Sequence, residues 1–442
     1  MPTSRREFLN NSTKLAAAAG LGGFAYSPLQ ARRSQNANEK IVVALVGAKG
    51  RGFGALENAL KIPGVECAAL CDIDDEVLSR RAADTEKIQG KAPKLYKDYR
   101  KLVDDKSIDA IIIGTPDHWH CLPFVAACEA GKDIYVEKPL ANSIAECDLM
   151  VAATRKYNRV VQVGQQQRSG THWMKALDMI RQGELGKLRK VNVWANFAYG
   201  IGQPIVPDSP VPPGVDFDMW LGPAPQRTFN KTRFHGSWRM FWDYGGGLMT
   251  DWGVHLLDMA LWVKDVKEMP LSITASGGNF GFPDHAHQTF DTMSVSYQMP
   301  DYVINWENIA GIESGPYGKQ YGLAYVCDDA TLVINREGWE IIPELSSDRR
   351  TYKVPAIPPR SGRYYHQDHT QNFIDCIKSR AEPNCPIENG RLVAVCAHAG
   401  NIALLTKSQL VWNEEKKNFG DNAAANAMIT PKYRKPWVLP KV

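Results

Sequence analysis

From Ile41 onward, short β-rich runs alternate with amphipathic stretches. Ile41–Val46 is an unbroken apolar run, the pattern of a strand buried on both faces. A helical segment around Phe53–Lys61 follows, then a strand at Val65–Cys71 and a helix from about Asp75 to Gln89. The series continues with Ala110–Gly114 as strand, Leu122–Ala130 as helix, Asp133–Glu137 as strand, Ile144–Tyr157 as helix and Val160–Gly164 as strand. Strand and helix in such regular alternation predict an α/β domain built on a doubly wound parallel sheet, placed at residues 39–165.

The texture then changes. After a helix at Trp173–Arg181, longer alternating runs read as strands at Leu188–Trp194, Leu271–Gly277, Thr289–Gln298 and Val303–Glu307. Gly322–Val326, Thr331–Asn335 and Trp339–Ile342 extend the set. Turns and long loops separate these runs, which predicts an α+β domain with a large, mostly antiparallel sheet over residues 166–412. The Pro-rich stretch Gly200–Gln226 reads as a functional or interface loop. Residues 413–442 read as a polar strap over the surface, ending in Tyr433-Arg434-Lys435-Pro436-Trp437.

Composition narrows the class. Two or three domains fit 442 residues, and 44% apolar with 23% charged residues is ordinary globular usage. The net charge of +4 resides entirely in residues 1–38, leaving a neutral body with no electrostatic footprint for nucleic acid or an anionic membrane. No run approaches the roughly 20 apolar residues that membrane insertion requires. Ser4-Arg5-Arg6-Glu7-Phe8-Leu9, followed by a weakly hydrophobic run from Leu15 to Tyr26, reads as a twin-arginine signal. Residues 1–38 are therefore expected to engage the twin-arginine export machinery and deliver the folded protein to the periplasm. Nine cysteines lack CxxC pairs and metal-ligand spacing, so buried structural thiols are expected.

Two stretches carry candidate chemistry. Strand Ile41–Val46 runs into Gly47-Ala48-Lys49-Gly50-Arg51-Gly52, the strand–turn–helix context of a dinucleotide fingerprint. Gly47 and Gly52 fit its first and third glycines. Lys49 stands where the second belongs, with Gly50 one residue on. Asp72, at the end of the second strand, suits a ribose diol, and Asp74 and Asp75 add negative charge that favours NAD over NADP. Glu137-Lys138-Pro139 ends another strand at the ligand-binding edge, and Asp251 and His255 stand four residues apart after three glycines. Together they suit oxidation of an alcohol with hydride passing to a nicotinamide. His255 is the general base with a pKa near 6.5, Lys138 the alkoxide-orienting donor and proton relay, and Asp251 a partner of the histidine or of a substrate hydroxyl. Arg168 is a candidate for substrate oxygens, and Trp238 and Tyr244 for sugar C–H faces. His118 and His120 suit nicotinamide-side packing rather than metal ligation.

The glycine turn, Glu137-Lys138-Pro139 and the Gly245–His255 stretch resemble the glucose–fructose oxidoreductase / inositol dehydrogenase / MocA family of NAD(P)-dependent sugar oxidoreductases. Thr115-Pro116-Asp117-His118-Trp119-His120, Gln165-Gln166-Gln167-Arg168-Ser169, Trp220–Pro225 and the closing Tyr433–Trp437 share the likeness, which covers essentially the whole mature chain. The resemblance implies an N-terminal Rossmann domain, a C-terminal open antiparallel sheet and a site between them. It also implies Lys138, Asp251 and His255 as the catalytic group, and Thr115, Pro116, His120 and Glu137 beside the cofactor. Sheet faces of such proteins often pair into homodimers or homotetramers. The expected activity is dehydrogenation of a sugar or glycoside hydroxyl. The alternatives are an NAD-dependent glycosidase working by transient oxidation, resembling α-N-acetylgalactosaminidases that lack the lysine of Glu-Lys-Pro, and a non-catalytic sugar-binding protein.

Overall fold

The computed structural model describes residues 40–442. The twin-arginine segment lies outside the described residues. Six strands build the first sheet: β1 (Ile41–Val46), β2 (Val65–Cys71), β3 (Lys94–Tyr96), β4 (Ala110–Ile113), β5 (Asp133–Val136) and β6 (Val161–Val163). All pair in parallel, in the order β3-β2-β1-β4-β5-β6. The order reverses between β1 and β4, and a crevice at that switch point is where open α/β sheets take their ligands. Continuous burial of β4 and β5 explains why their sequences run apolar without alternation.

The second sheet has eight strands. After β7 (Leu188–Ala195) come the short β8 (Gln203–Pro204), β9 (Ser272–Gly278), the short β10 (His285–Ala286), β11 (Thr292–Gln298) and β12 (Val303–Ile309). They are followed by β13 (Tyr321–Cys327), β14 (Ala330–Ile334), β15 (Gly338–Pro343) and β16 (Ile357–Ser361). The order is β16-β15-β14-β13-β7-β12-β11-β9, while β8 and β10 form a separate two-stranded ladder. Every pair in the large sheet is antiparallel except β7 with β12. In β12, Ile304, Trp306 and Asn308 are buried while the intervening residues are not, the period-2 pattern of a sheet with one covered face. The helices Val254–Trp262 and Ile387–Thr406 cover that face.

Both late helices, His366–Ser379 and Ile387–Thr406, were absent from the sequence expectation. The first packs onto the helix Arg51–Leu60 and sets Phe373 against Tyr135, so residues assigned to the second region complete the nucleotide lobe. The C-terminal segment is a strap. Trp437 packs edge-on against Trp119 with ring centres 4.9 Å apart, and the Arg434 amide donates to the Pro223 carbonyl. All nine cysteines are buried and none is in a disulfide. Among the described residues, no helix is long and apolar enough to cross a membrane.

Candidate active site

A cavity of about 520 Å3 runs along the carboxyl edge of the parallel sheet and is closed by residues of the second sheet's lobe. Gly47, Lys49, Gly50 and Asp72 line one end, with Thr115, Pro116 and, toward His255, the Arg51–Glu137 pair beyond them. Gly47 has φ +86°, and a Cβ there would lie 2.6 Å from the Thr115 amide nitrogen. Gly52 does not line the cavity. A Cβ on it would meet the Gly47 carbonyl at 2.4 Å, so this glycine lets the helix Arg51–Leu60 close against β1. A Cβ on Gly50 would meet nothing within 4 Å, which makes Gly50 the open approach that Lys49 left in question.

These residues fit a dinucleotide. The helix Arg51–Leu60 starts without a side-chain cap, leaving its first amides for a pyrophosphate. The Asp72 carboxylate lines the cavity while its Oδ2 accepts from the Ala48 amide at 2.7 Å and its Oδ1 from the Asp74 amide at 3.2 Å. Burial pushes its pKa up, against these hydrogen bonds. Asp74 caps the helix Asp75–Gln89 and accepts from His235 Nε2 of the second lobe at 2.6 Å.

At the inner end, Lys138 and His255 both line the cavity that begins at the glycine turn. Lys138 Nζ donates to the Asp251 carboxylate, and to the Asp251 carbonyl at 2.9 Å. Asp251 also accepts from Arg239 Nε at 3.1 Å and from the Tyr199 hydroxyl at 2.5 Å. Burial alone would raise the Asp251 carboxyl, but Lys138 and Arg239 overcome it and hold it below the usual carboxylate range. Asp251, expected to partner the histidine or a substrate hydroxyl, thus pairs with Lys138, Arg239 and Tyr199. It lies in a π-helical turn, Met249–Gly253, ahead of the α-helix Val254–Trp262; such widened turns are frequent at functional sites. His255 is pushed well below the expected 6.5, first by burial and then by Arg336, Lys138 and Arg51. It is neutral at neutral pH, with its buried Nδ1 unpaired.

Three expectations are corrected. Arg168 is locked in a buried bidentate pair with Asp258, at 2.6 Å for the shortest contact, beneath Trp262, and does not line the cavity. Tyr244 is fully buried against His118 and Trp220. His120 and His118 do not line the cavity either. His120 bonds the carbonyls of Pro139 at 2.8 Å and Thr115 at 3.0 Å, and His118 that of Trp220 at 3.0 Å, so both tie loops together. Trp238 does line the cavity, as do Trp119, Trp220 and Trp252.

Several cavity groups were given no role from sequence. Asp117 is 4% exposed, and burial pushes its carboxyl up to about 8 against the pull of Arg239 and Lys138. His366 is another: its Nδ1 meets Nη1 of Arg51 at 3.2 Å, while Arg51 Nε donates at 3.2 Å to Glu137, both of these expected beside the cofactor. Tyr199 belongs to a loop with no helical or strand periodicity. Arg239 stands in the short helix Ser237–Met240 between the buried Trp238 and Met240, and Arg336 in the turn after β14.

Fold and site together define a two-lobed oxidoreductase with an NAD-binding Rossmann domain. Residues 41–165 match the family model "Oxidoreductase family, NAD-binding Rossmann fold", and residues 169–322 match "Oxidoreductase family, C-terminal alpha/beta domain". The two matches together cover more than half of the chain, which belongs to the Gfo/Idh/MocA oxidoreductase family. It is 30% identical over 154 residues to an alpha-N-acetylgalactosaminidase of Shewanella oneidensis. That match covers 34% of each chain, so it spans only about a third of the curated relative. Among solved structures, the aldose-aldose oxidoreductase from Caulobacter crescentus superimposes with TM-score 0.65 at 18% identity, over 84% of this chain and 100% of that one. Levoglucosan dehydrogenase in complex with NADH and levoglucosan gives 0.64 at 19%, over 84% and 99%. Both are likenesses of fold.

Proposed function

We propose that this protein is a dehydrogenase acting on a sugar or glycoside hydroxyl, with NAD preferred over NADP. The observation that carries the reading is the Lys138–Asp251 pair and the neutral His255 imidazole lining the same cavity as the glycine turn. When bound, the nicotinamide supplies the hydride acceptor. His255 takes the hydroxyl proton, and the Lys138 ammonium orients the hydroxyl oxygen and steadies its developing charge. Asp251 acts through Lys138, fixing the ammonium with both its carboxylate and its backbone carbonyl. Trp238, on the cavity wall, suits sugar C–H groups. The Asp72–Asp74 edge disfavours a 2′-phosphate, which supports NAD.

The leader supports export through the twin-arginine route to the periplasm. The half-covered large sheet suits pairing into a homodimer or homotetramer. A second reading, glycoside cleavage assisted by transient oxidation, draws on the similarity to the Shewanella glycosidase; the presence of Lys138 favours the dehydrogenase.

A panel of sugars and glycosides with NAD and NADP, followed at 340 nm with product analysis, tests these readings. A keto product with NADH formation supports oxidation, whereas free sugar released from a glycoside without net NADH supports cleavage. Lys138→Ala and His255→Ala should each lower the rate by about 10²–10⁴ while the fold persists. Unchanged turnover in both variants removes the site assignment.

A further inference from the structure

Four cations gather at the inner end of the cavity: Arg51, Lys138, Arg239 and Arg336. Lys138 and Arg239 share Asp251, and Arg51 is paired with Glu137. Asp117, the remaining carboxyl at this end, is mostly protonated below pH 8 because of its burial and offers little charge. Arg336, in the turn between β14 and β15, has no ion-pair partner among the described residues. Its guanidinium carbon lies 4.5 Å from the centre of the Trp252 ring, and its buried Nε has no acceptor.

Arg336 is half-buried, and an N–H shut away from water without an acceptor, as its Nε is, is costly and poorly compensated by neutral hydroxyls. Stacking on an aromatic face leaves the planar N–H fork open at its edge, and that fork matches a carboxylate bidentately. Two carboxylates against four cations also leave this end of the cavity positive. We infer that the substrate is a sugar acid, whose carboxylate is held by Arg336 while a hydroxyl of the same ring meets Lys138 and His255. The hydroxyl half of this statement rests on the dehydrogenase reading; the carboxylate subsite does not. A second consequence agrees with it. Arg336 is the foremost charged neighbour that weakens His255 as a base. A carboxylate seated on Arg336 cancels that charge, so an acidic substrate strengthens the base that deprotonates it.

Matched pairs separate the two claims: glucuronate with glucose, galacturonate with galactose, and methyl β-glucuronide with methyl β-glucoside. Binding to the NADH-loaded protein is measured by calorimetry, and turnover with NAD at 340 nm. At least one acid should bind about tenfold or more tighter than its neutral partner. Arg336→Gln should reduce that ratio to near one, while Arg336→Lys, which keeps the charge but loses the fork, should retain part of it. In turnover the loss should fall mainly on KM for the acid. Equal affinity within every pair, or an acid preference that survives Arg336→Gln, overturns the inference. If acids bind through Arg336 but no pair reduces NAD, the dehydrogenase reading fails and the anion subsite stands. If neutral sugars turn over with no acid preference, the reverse holds.

Discussion

Asp251→Asn keeps the shape of the side chain while deleting the one negative charge that Lys138 and Arg239 share. The Lys138–Asp251 pair is poorly hydrated, its side chains 10% and 11% exposed, while Arg239 is 32% exposed. Removing one member of a buried ionic cluster strands the other charges, at a cost of about 3–5 kcal/mol. At about 2 °C per kcal/mol for a large cooperative unit, scanning calorimetry should show a fall in Tm of roughly 6–10 °C. The pH dependence has a defined sign. The folded carboxyl sits below the unfolded one, so its stabilisation is fully present above the usual carboxylate range and is lost only as pH falls through the depressed value. The gap between wild type and variant should therefore be flat from about pH 5 to 8 and narrow in strong acid. Lys138→Met combined with Asp251→Asn removes a stranded cation along with its partner. The double variant should be more stable than the sum of the single effects predicts, by at least about 1 kcal/mol. A Tm loss under about 2 °C, or strictly additive effects, would show that Asp251 does not organise the cluster.

Asp117→Asn tests the protonated carboxyl in the cavity. Between its unfolded value of 3.8 and about 8, the folded carboxyl holds a proton that the unfolded chain releases, so wild-type stability should decline with rising pH across that window and level off above it. The asparagine variant should lose this slope in Tm measured against pH, and an identical slope refutes the assignment. Trp437→Ala removes the strap's ring from Trp119, which itself lines the cavity. A Tm drop of roughly 2–4 °C, from about 1 kcal/mol of aromatic contact, should accompany a few-fold weaker NADH affinity by fluorescence titration. Unchanged affinity separates the strap from the site.

What the sequence made legible follows from how strongly each element marks its period. β1, β4 and β5 are buried on both faces and run apolar without interruption, while β11 and β12 alternate because only one face is covered. The glycine turn and Glu137-Lys138-Pro139 were readable because backbone approach and a strand-end position each restrict residue choice. The helix Ile387–Thr406 was missed for the opposite reason: apolar residues are buried all round it, from Leu392 to Leu404, so no stripe marks its period. His366–Ser379 hides its apolar residues among His369, Thr370 and Gln371; the buried His369 and Thr370 are tolerated because His369 bonds the Ser169 hydroxyl and the Val163 carbonyl and Thr370 donates to the His366 carbonyl.

At the site, sequence pointed to residues that carry charge near a motif, but not to where each charge is spent. Arg168 and Arg336 show the difference. Arg168 follows a motif and looked available, yet Asp258, ninety residues away in sequence, neutralises it completely. Arg336 lies in the polar turn Asn335-Arg336-Glu337, where a solvated side chain is the ordinary expectation. Tertiary packing instead lays it over Trp252 beside His255, with no partner for its buried Nε. Which cation is free to meet a ligand is thus decided by long-range pairing. In this protein that pairing leaves Arg336, rather than Arg168, as the guanidinium open to substrate oxygens.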